Sequence, residues 1–386
     1  MAKSAQRPMR FTHVRLENWR NFTNVDTPLD RRVFLVGPNA AGKSNLLDVF
    51  RFLRDLVAVG GGFQEAVRRR GGVSRVRCLA ARRKPAITVL VRVGTTEEPR
   101  LWEYELCFHQ DVRSRPLIKR ERVSQNGSLV FKRPDAEDEA DQERLTQTHL
   151  EQVYVNQEFR ELVDFFPTVN YLHVVPQLVR EPDRSVGRAN DPFGGDFLER
   201  VAKAQEKTRK AWLRRILDAL RVAVPQLDEL ELFRDNRGTP HLRGKYKHWR
   251  PRGAWQTEDQ FSDGTLRLMG LLWITLAGSG PLLLEEPEMS LHPEVVRYIP
   301  QMFARMQRRT GRQVMISTHS ADMLRDTGIG LNEVLLLEPS AEGTTARAAA
   351  DIEEATALLE QGCTLADVII PRTRPANVEQ LTLFGD

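Results

Sequence analysis

Two short stretches of this chain carry residue types spaced for phosphate chemistry. Gly37-Pro38-Asn39-Ala40-Ala41-Gly42-Lys43-Ser44 fits the pattern G-x-x-x-x-G-K-[ST]. The glycines let the backbone curl so that several N–H groups point inward at phosphate oxygens, and a helix start behind the loop adds partial positive charge. Lys43 is placed to reach the β- and γ-phosphates, and the Ser44 hydroxyl to bind Mg²⁺. The second stretch, Leu282-Leu283-Leu284-Glu285-Glu286-Pro287-Glu288, is an apolar run ending in carboxylates. Hydrolysis of a triphosphate needs one carboxylate for the metal shell and another to orient or deprotonate the attacking water. Glu285 takes the metal side, where Asp is commoner, and its extra methylene points to water-mediated contact. Glu286 takes the general-base position.

Such residues need a sheet and a helix to hold them. Val33 to Val36 is apolar throughout, as the centre of a sheet covered on both faces should be, and a helical pattern runs from Asn45 to Leu53. Phe11 to Glu17 alternates as a half-buried strand, and period two returns in Ile87 to Val93, Leu101 to Phe108 and Leu117 to Val123, with a hairpin turn at 125–128. Asp135 to Glu143 reads as an exposed acidic loop or helix start. Leu150 to Phe166 and Phe197 to Val224 read as helices, the second with Trp212, Ile216, Leu217 and Leu220 on one side and a basic opposite face. Arg234 to Trp255 reads as a loop. A strand at Val169 to Val175, a helix at Gly264 to Ala277, a strand at Pro281 to Leu284, a helix at Pro293 to Gln307 and strands at Gln313 to Ser317 and Glu333 to Leu337 complete the pattern. The order is that of one α/β core interrupted by a middle lobe.

Composition narrows the class. The 386 residues are 41% hydrophobic, enough for a large core, and no apolar run is long enough to span a membrane. Cys78, Cys107 and Cys363 lie far apart, which speaks for reduced thiols in a cytoplasmic protein rather than a disulfide framework or a zinc knuckle. The net charge of +5 is compatible with nucleic acid but does not demonstrate it.

Together these residues resemble the RecF/SMC-like and OLD-like branch of the ABC ATPases (OLD, overcoming lysogenization defect). The resemblance rests on L-E-N-W-R-N-F (Leu16 to Phe22), G-P-N-A-A-G-K-S-N (Gly37 to Asn45), Phe261-Ser262-Asp263-Gly264-Thr265, E-E-P-E-x-x-L-H-P (Glu285 to Pro293) and Ile316-Ser317-Thr318-His319-Ser320. It implies a P-loop NTPase of ABC-ATPase head architecture: an α/β fold with a mixed central sheet, an antiparallel β subdomain and a helical lobe. The implied divisions are 1–175, 176–260 and 261–345, followed by a tail at 346–386. ATP and Mg²⁺ are the implied cofactors, with Gly37 to Asn45 on the nucleotide and Ser44, Glu285 and Gln177 on the metal. Lys43, Glu286 and His319 are the catalytic set. Ser262 and the Gly264 amide of one chain complete the site on a partner's P-loop, so ATP joins a homodimer. With no coiled-coil arm and no room for a TOPRIM nuclease after Leu337, the resemblance is to a stand-alone ATPase subunit of DNA repair or anti-phage defence, acting on a separate effector such as a nuclease. A non-catalytic ATP-held scaffold and a transporter ATPase subunit are the alternatives.

Three further segments stay open on sequence. His241 to Trp255 interleaves Arg243, Lys245, Lys247, Arg250 and Arg252 with Tyr246, Trp249 and Trp255, which suits nucleic acid or a solvated loop whose tryptophans pack inward. Arg68-Arg69-Arg70, with Arg75 and Arg77, suits DNA or nucleotide contact or a solvated turn. At the end of the chain Gln380, Leu381, Leu383 and Phe384 resemble the peptide by which bacterial proteins dock on the sliding clamp, against a tail folded back on its own domain.

Overall fold

The structure, a computed structural model, describes residues 8–81, 85–182, 191, 193–248, 254–375 and 378–383. The chain divides into two compact units. One holds residues 1–170, 279–283 and 304–386, and the other holds 171–278 and 284–303.

The strands of the first half are β1 (Arg10–Trp19), β2 (Phe22–Pro28), β3 (Arg32–Val36), β4 (Ile87–Gly94), β5 (Trp102–Gln110), β6 (Pro116–Gln125) and β7 (Ser128–Arg133). Six of them form an antiparallel sheet in the order β2-β1-β4-β5-β6-β7. Its period-two patterning turns Ile87, Val89, Val91 and Val93 inward, all fully buried. The core beside it is aromatic: Phe11 lies 4.5 Å from Phe50 and 5.0 Å from Phe165, ring centre to ring centre.

Downstream come β8 (Asn170–Leu172), β9 (Leu227–Arg234), β10 (Pro240–Tyr246), β11 (Ala254–Thr257), β12 (Leu282–Glu285), β13 (Val314–Thr318), β14 (Val334–Ser340) and β15 (Gly343–Ala348). A second six-stranded sheet has the order β15-β14-β3-β13-β12-β8, and the division between the units falls within β8 and β12. Here β3 runs parallel to β13 and β14, while β14 and β15 are antiparallel, so the sheet is mixed. All five residues of β3 and of β13 are buried, as an apolar run in a covered sheet requires.

The second unit contains the helices Phe197–Lys203, Glu206–Ala223 and Asp263–Leu276 and a three-stranded antiparallel sheet β11-β10-β9. Leu213, Ile216, Leu217 and Leu220 are the buried face of the middle helix, at the i, i+3, i+4, i+7 spacing of an amphipathic stripe. No helix among the described residues is long and apolar enough to cross a membrane.

Several expected elements differ. Residues 150–156 are turns, and helix begins only at Arg160. The Asn156 side chain donates to the Leu150 carbonyl, and the Glu151 carboxylate accepts from the Thr148 and Phe63 amides, bonds that compete with a helical ladder. The helix expected over 197–224 breaks at Ala204–Gln205, where Arg209 donates to the Ala202 and Ala204 carbonyls. The helix at 293–307 is two, Pro293–Val296 and Ile299–Thr310. The basic segment read as a loop carries β10 and β11. The acidic run forms the short helix Ala136–Ala140 under a capping box of Asp135 and Asp138, and Asp138 is fully buried against Arg133 rather than exposed. The tail includes β15 and the helices Glu353–Glu360 and Leu365–Ile369, whose Leu365, Ala366, Val368 and Ile369 are buried.

Candidate functional site

In the first unit β3 ends at Val36 and the glycine loop follows. A Cβ on Gly37 would stand 2.6 Å from the Leu337 carbonyl oxygen, so the loop leaves the sheet flush against β14. Ala40 at φ 62° and Gly42 at φ 96° are left-handed, which curls the chain back before the helix. That helix, Lys43–Val57, starts with no side-chain cap and no acidic residue in its first turn. Its leading amides and positive dipole end are therefore left for an anion.

Lys43 is buried, and its Nζ lies 3.1 Å from the Gly37 carbonyl, 3.2 Å from the Pro38 carbonyl and 2.6 Å from His319 Nε2. A charged lysine can only donate, so Nε2 accepts and the imidazole proton sits on Nδ1. His319 follows β13, whose Ser317 and Thr318 are fully buried. The predicted lysine and switch histidine are thus brought together across 276 residues of sequence. Ser44, Asn39 and Ala40 are exposed at the loop's open side. The Asn45 side chain is engaged elsewhere, its amide donating to Asn21 Oδ1 at 2.8 Å. Beyond Pro38, Asn39 and His319 lies a cavity of about 530 Å³, whose other wall is Ile370, Pro371 and Arg374 of the C-terminal segment.

In the second unit Ser262 caps the helix Asp263–Leu276. Its Oγ accepts from the Thr265 amide at 3.2 Å and lies 2.8 Å from the Thr265 hydroxyl. A Cβ on Gly264 would stand 2.4 Å from the Ser290 carbonyl oxygen, so this glycine is where the helix start meets the loop after the acidic strand. In that loop Glu286 (φ 42°) and Ser290 (φ 62°) are left-handed. The Glu285 carboxylate accepts a hydrogen bond from the Tyr171 hydroxyl, and its carbonyl lies 3.4 Å from His173 Nδ1. Gln177 is exposed on the four-residue helix Pro176–Val179.

Sequence reading missed five residues around these sites. Tyr171 on β8 and His173 just beyond its end stand two residues apart beside Glu285, a spacing that was readable. Asn21 stands in L-E-N-W-R-N-F, where its role was not. Arg180 donates to the Phe261 carbonyl and to Asp263, bracing the turn that carries Ser262. Arg267, five residues beyond Ser262, is held below the usual arginine range by burial, against the opposing charges of Asp263, Glu286 and Glu288. No local pattern marks either arginine.

Five cations of the basic segments form internal pairs, while Arg75, Arg77 and Lys247 are exposed. Arg243 bonds Glu231 and lies 4.7 Å from the Trp255 ring centre, and Lys245 bonds Glu229 at 2.7 Å. Trp249, Arg250 and Arg252 lie outside the described residues. Arg68 and Arg69 both hold Glu65, whose pKa falls to about 2 through those hydrogen bonds. Arg70 is buried between Asp48 and Asp55 of the P-loop helix. At the C-terminus Gln380 is exposed in the turn Val378–Leu383, and Phe384 of the expected clamp peptide lies outside the described residues.

The family described as "AAA domain, putative AbiEii toxin, Type IV TA system" matches residues 32–325, about three quarters of the chain, including the phosphate loop, Ser262, the acidic strand and His319. The fold is similar to the Smc head domain with an extended coiled coil bound to the C-terminal domain of ScpA, from Pyrococcus furiosus (11% identity, 92% of this chain and 99% of that chain, TM-score 0.54). It is also similar to the SmcHead bound to the C-winged helix domain of ScpA (13%, 90% and 99%, TM-score 0.53). A third is the Smc head domain with a coiled coil and joint from Pyrococcus yayanosii (10%, 92% and 100%, TM-score 0.52). At these identities the likeness is one of fold. No curated protein matches the chain significantly. With its lysine and histidine meeting over an uncapped helix start, the chain belongs to this AAA-domain family, and it is a P-loop ATPase built on the fold of an Smc head.

Proposed function

We propose that this ATPase closes as a homodimer on ATP and serves as a DNA-associated switch in DNA repair or anti-phage defence, licensing a separate effector such as a nuclease. One observation supports the reading: Ser262 and Gly264 sit at the start of a 14-residue helix, pinned by Arg180 and by the Ser290 loop, so the segment is rigid before any partner meets it. Such a segment serves a second chain's P-loop, which the resemblance of the five segments also implies. Within it Lys43 and His319 address the phosphates, Glu286 activates water and Glu285 supports the metal. The Mg²⁺ ligands the resemblance implies, Ser44, Glu285 and Gln177, each offer the oxygen a hard cation takes.

For DNA the available cations are not those of β10. Lys207, Arg214 and Arg215 are exposed on the helix Glu206–Ala223 and have no ion pair among the described residues, whereas Arg243 and Lys245 are already neutralised. A cation that must break a salt bridge to meet a phosphate gains little. The test is ATP turnover and ATP-dependent dimerisation, with and without duplex DNA, in wild type, Glu286→Gln and Lys207→Glu/Arg214→Glu/Arg215→Glu. Glu286→Gln is expected to bind ATP and dimerise but to lose at least about 100-fold in turnover. The triple variant is expected to lose only the DNA response. Turnover in wild type no faster than in Glu286→Gln, or no effect of DNA on either quantity, overturns the switch.

A further inference from the structure

We infer that Asn21 is a positioning residue for ATP: it fixes the peptide between Ala41 and Gly42 so that the Gly42 N–H faces the phosphates. The inference rests on the ATPase activity alone and not on the proposed dimer or DNA roles.

The hairpin between β1 and β2 turns at Arg20–Asn21, with Asn18 (φ 59°) and Arg20 (φ 53°) left-handed and Trp19 paired to Phe22. This tight reversal points the Asn21 side chain at the glycine loop. Its Nδ2 donates to the Ala41 carbonyl at 2.8 Å and to the Thr344 hydroxyl at 2.7 Å, and its Oδ1 accepts from Asn45 Nδ2 at 2.8 Å. The amide orientation is dictated by these partners, because the flipped form would set Oδ1 against the Ala41 carbonyl oxygen. The turn is itself held from both sides. Thr344, on β15, donates its backbone N–H to the Asn21 carbonyl at 2.8 Å, and Trp19 Nε1 donates to the Asn45 carbonyl at 3.0 Å.

A trans peptide is planar, with its C=O and N–H pointing in opposite directions. Pinning the Ala41 oxygen on Asn21 therefore aims the Gly42 N–H away from Asn21, into the curl of the loop. Gly42 also makes the contact possible: a Cβ there would stand 2.2 Å from Asn21 Nδ2. The second glycine of the motif is thus required twice, by its left-handed φ and by the side chain packed in the space it leaves. One asparagine joins the N-terminal hairpin, the phosphate loop, the first turn of its helix and the hairpin β14–β15.

The experiment compares Asn21→Ala, the near-isosteric Asn21→Leu and Thr344→Val with wild type by ATP titration, by KM and kcat for ATP, and by thermal melting. Asn21→Ala and Asn21→Leu are expected to raise Kd and KM for ATP about tenfold (~1.4 kcal/mol), with kcat at saturation within about threefold. Thr344→Val leaves the Ala41 bond in place and is expected to raise KM about two- to threefold. A purely structural asparagine would lower the melting temperature and leave the KM of the folded enzyme unchanged. An ATP affinity within twofold of wild type in folded Asn21→Ala overturns the inference. If neither Asn21 variant folds, an unchanged KM in Thr344→Val overturns it.

Discussion

Arg70 offers a direct test of how the P-loop helix is held. Its guanidinium, 5% exposed, donates through Nε and Nη2 to both oxygens of Asp48 at 2.8 Å, and through Nη1 to Asp55 at 3.1 Å and the Ala66 carbonyl at 2.8 Å. Asp48 and Asp55 stand seven residues, or about 10 Å, apart on one helix, so a single cation spans two turns. Burial alone would raise the Asp48 carboxyl, but the charge and hydrogen bonds of Arg70, with Arg51 and Arg20, outweigh it and hold Asp48 below its ordinary 3.8. Its contribution to stability is therefore present above that pH and fades as the pH falls below it. Arg70→Met removes the cation and strands two buried carboxylates, a change that costs about 3–5 kcal/mol for a buried pair. Arg51, 3.7 Å from Asp48, and Arg54, 3.2 Å from Asp55, share the load and put the expectation at the lower end, about 3 kcal/mol. Denaturant unfolding followed by tryptophan fluorescence would read this as a shifted midpoint with an unchanged slope. Adding Asp48→Asn to Arg70→Met should restore part of the loss. A cost below about 1 kcal/mol, or no recovery in the double variant, refutes a buried tether.

Two other perturbations follow from single contacts. His149 is buried and stacked on Phe131 at 4.5 Å, with neither ring nitrogen hydrogen-bonded among the described residues, and burial followed by the Arg133 charge lowers its pKa to about 4. A depressed histidine contributes stability above its unfolded pKa of 6.5 and loses it as the pH falls towards 4, by at most about 3 kcal/mol. His149→Phe should flatten unfolding free energy over that window, and an unchanged pH profile would exclude His149 as its source. Gly264→Ala places a methyl 2.4 Å from a backbone oxygen and should cost about 1–3 kcal/mol in thermal or denaturant unfolding. A melting curve indistinguishable from wild type would show that the contact yields freely.

What was legible in the sequence is what depends on near neighbours. The phosphate loop, the acidic strand and the helix start at Ser262 are each specified within about ten residues, and each lies in the element expected. Partners far along the chain were not legible. Tyr171 bonds Glu285 across 114 residues, and Arg70 meets Asp48 and Asp55 across 22 and 15. A run of arginines is therefore read as a solvated or DNA-facing turn until the carboxylates that bury it are placed. The same holds for β10: alternation of Leu242 and Gly244 with Arg243 and Lys245 is a strand pattern, but the Gly, Pro and Arg around it suggested a loop, and the pairing glutamates sit on β9. Helix breaks at 204–205 and 297–298 escaped because periodicity does not register a two-residue interruption.

These long-range ties bear on what nucleotide binding changes. The loop's shape is fixed from outside: Leu337 lies under Gly37, Asn21 holds Ala41, and Arg70 holds the helix behind. Lys43 is the exception, since it is bonded to two carbonyls of the loop itself and to His319. A phosphate bound by Lys43 takes the place of acceptors that are already satisfied, so the gain is the charge-assisted bond less those it replaces. The carbonyls of Gly37 and Pro38 remain in the loop whether or not the lysine is there. The imidazole belongs to the end of β13, and when Lys43 turns to phosphate its Nε2 loses a donor beside Asn39 and the cavity walled by Ile370 and Arg374. One lysine–histidine contact thus ties the phosphate loop to the end of β13 and, across the cavity, to a C-terminal segment that no motif in the sequence places beside the phosphates.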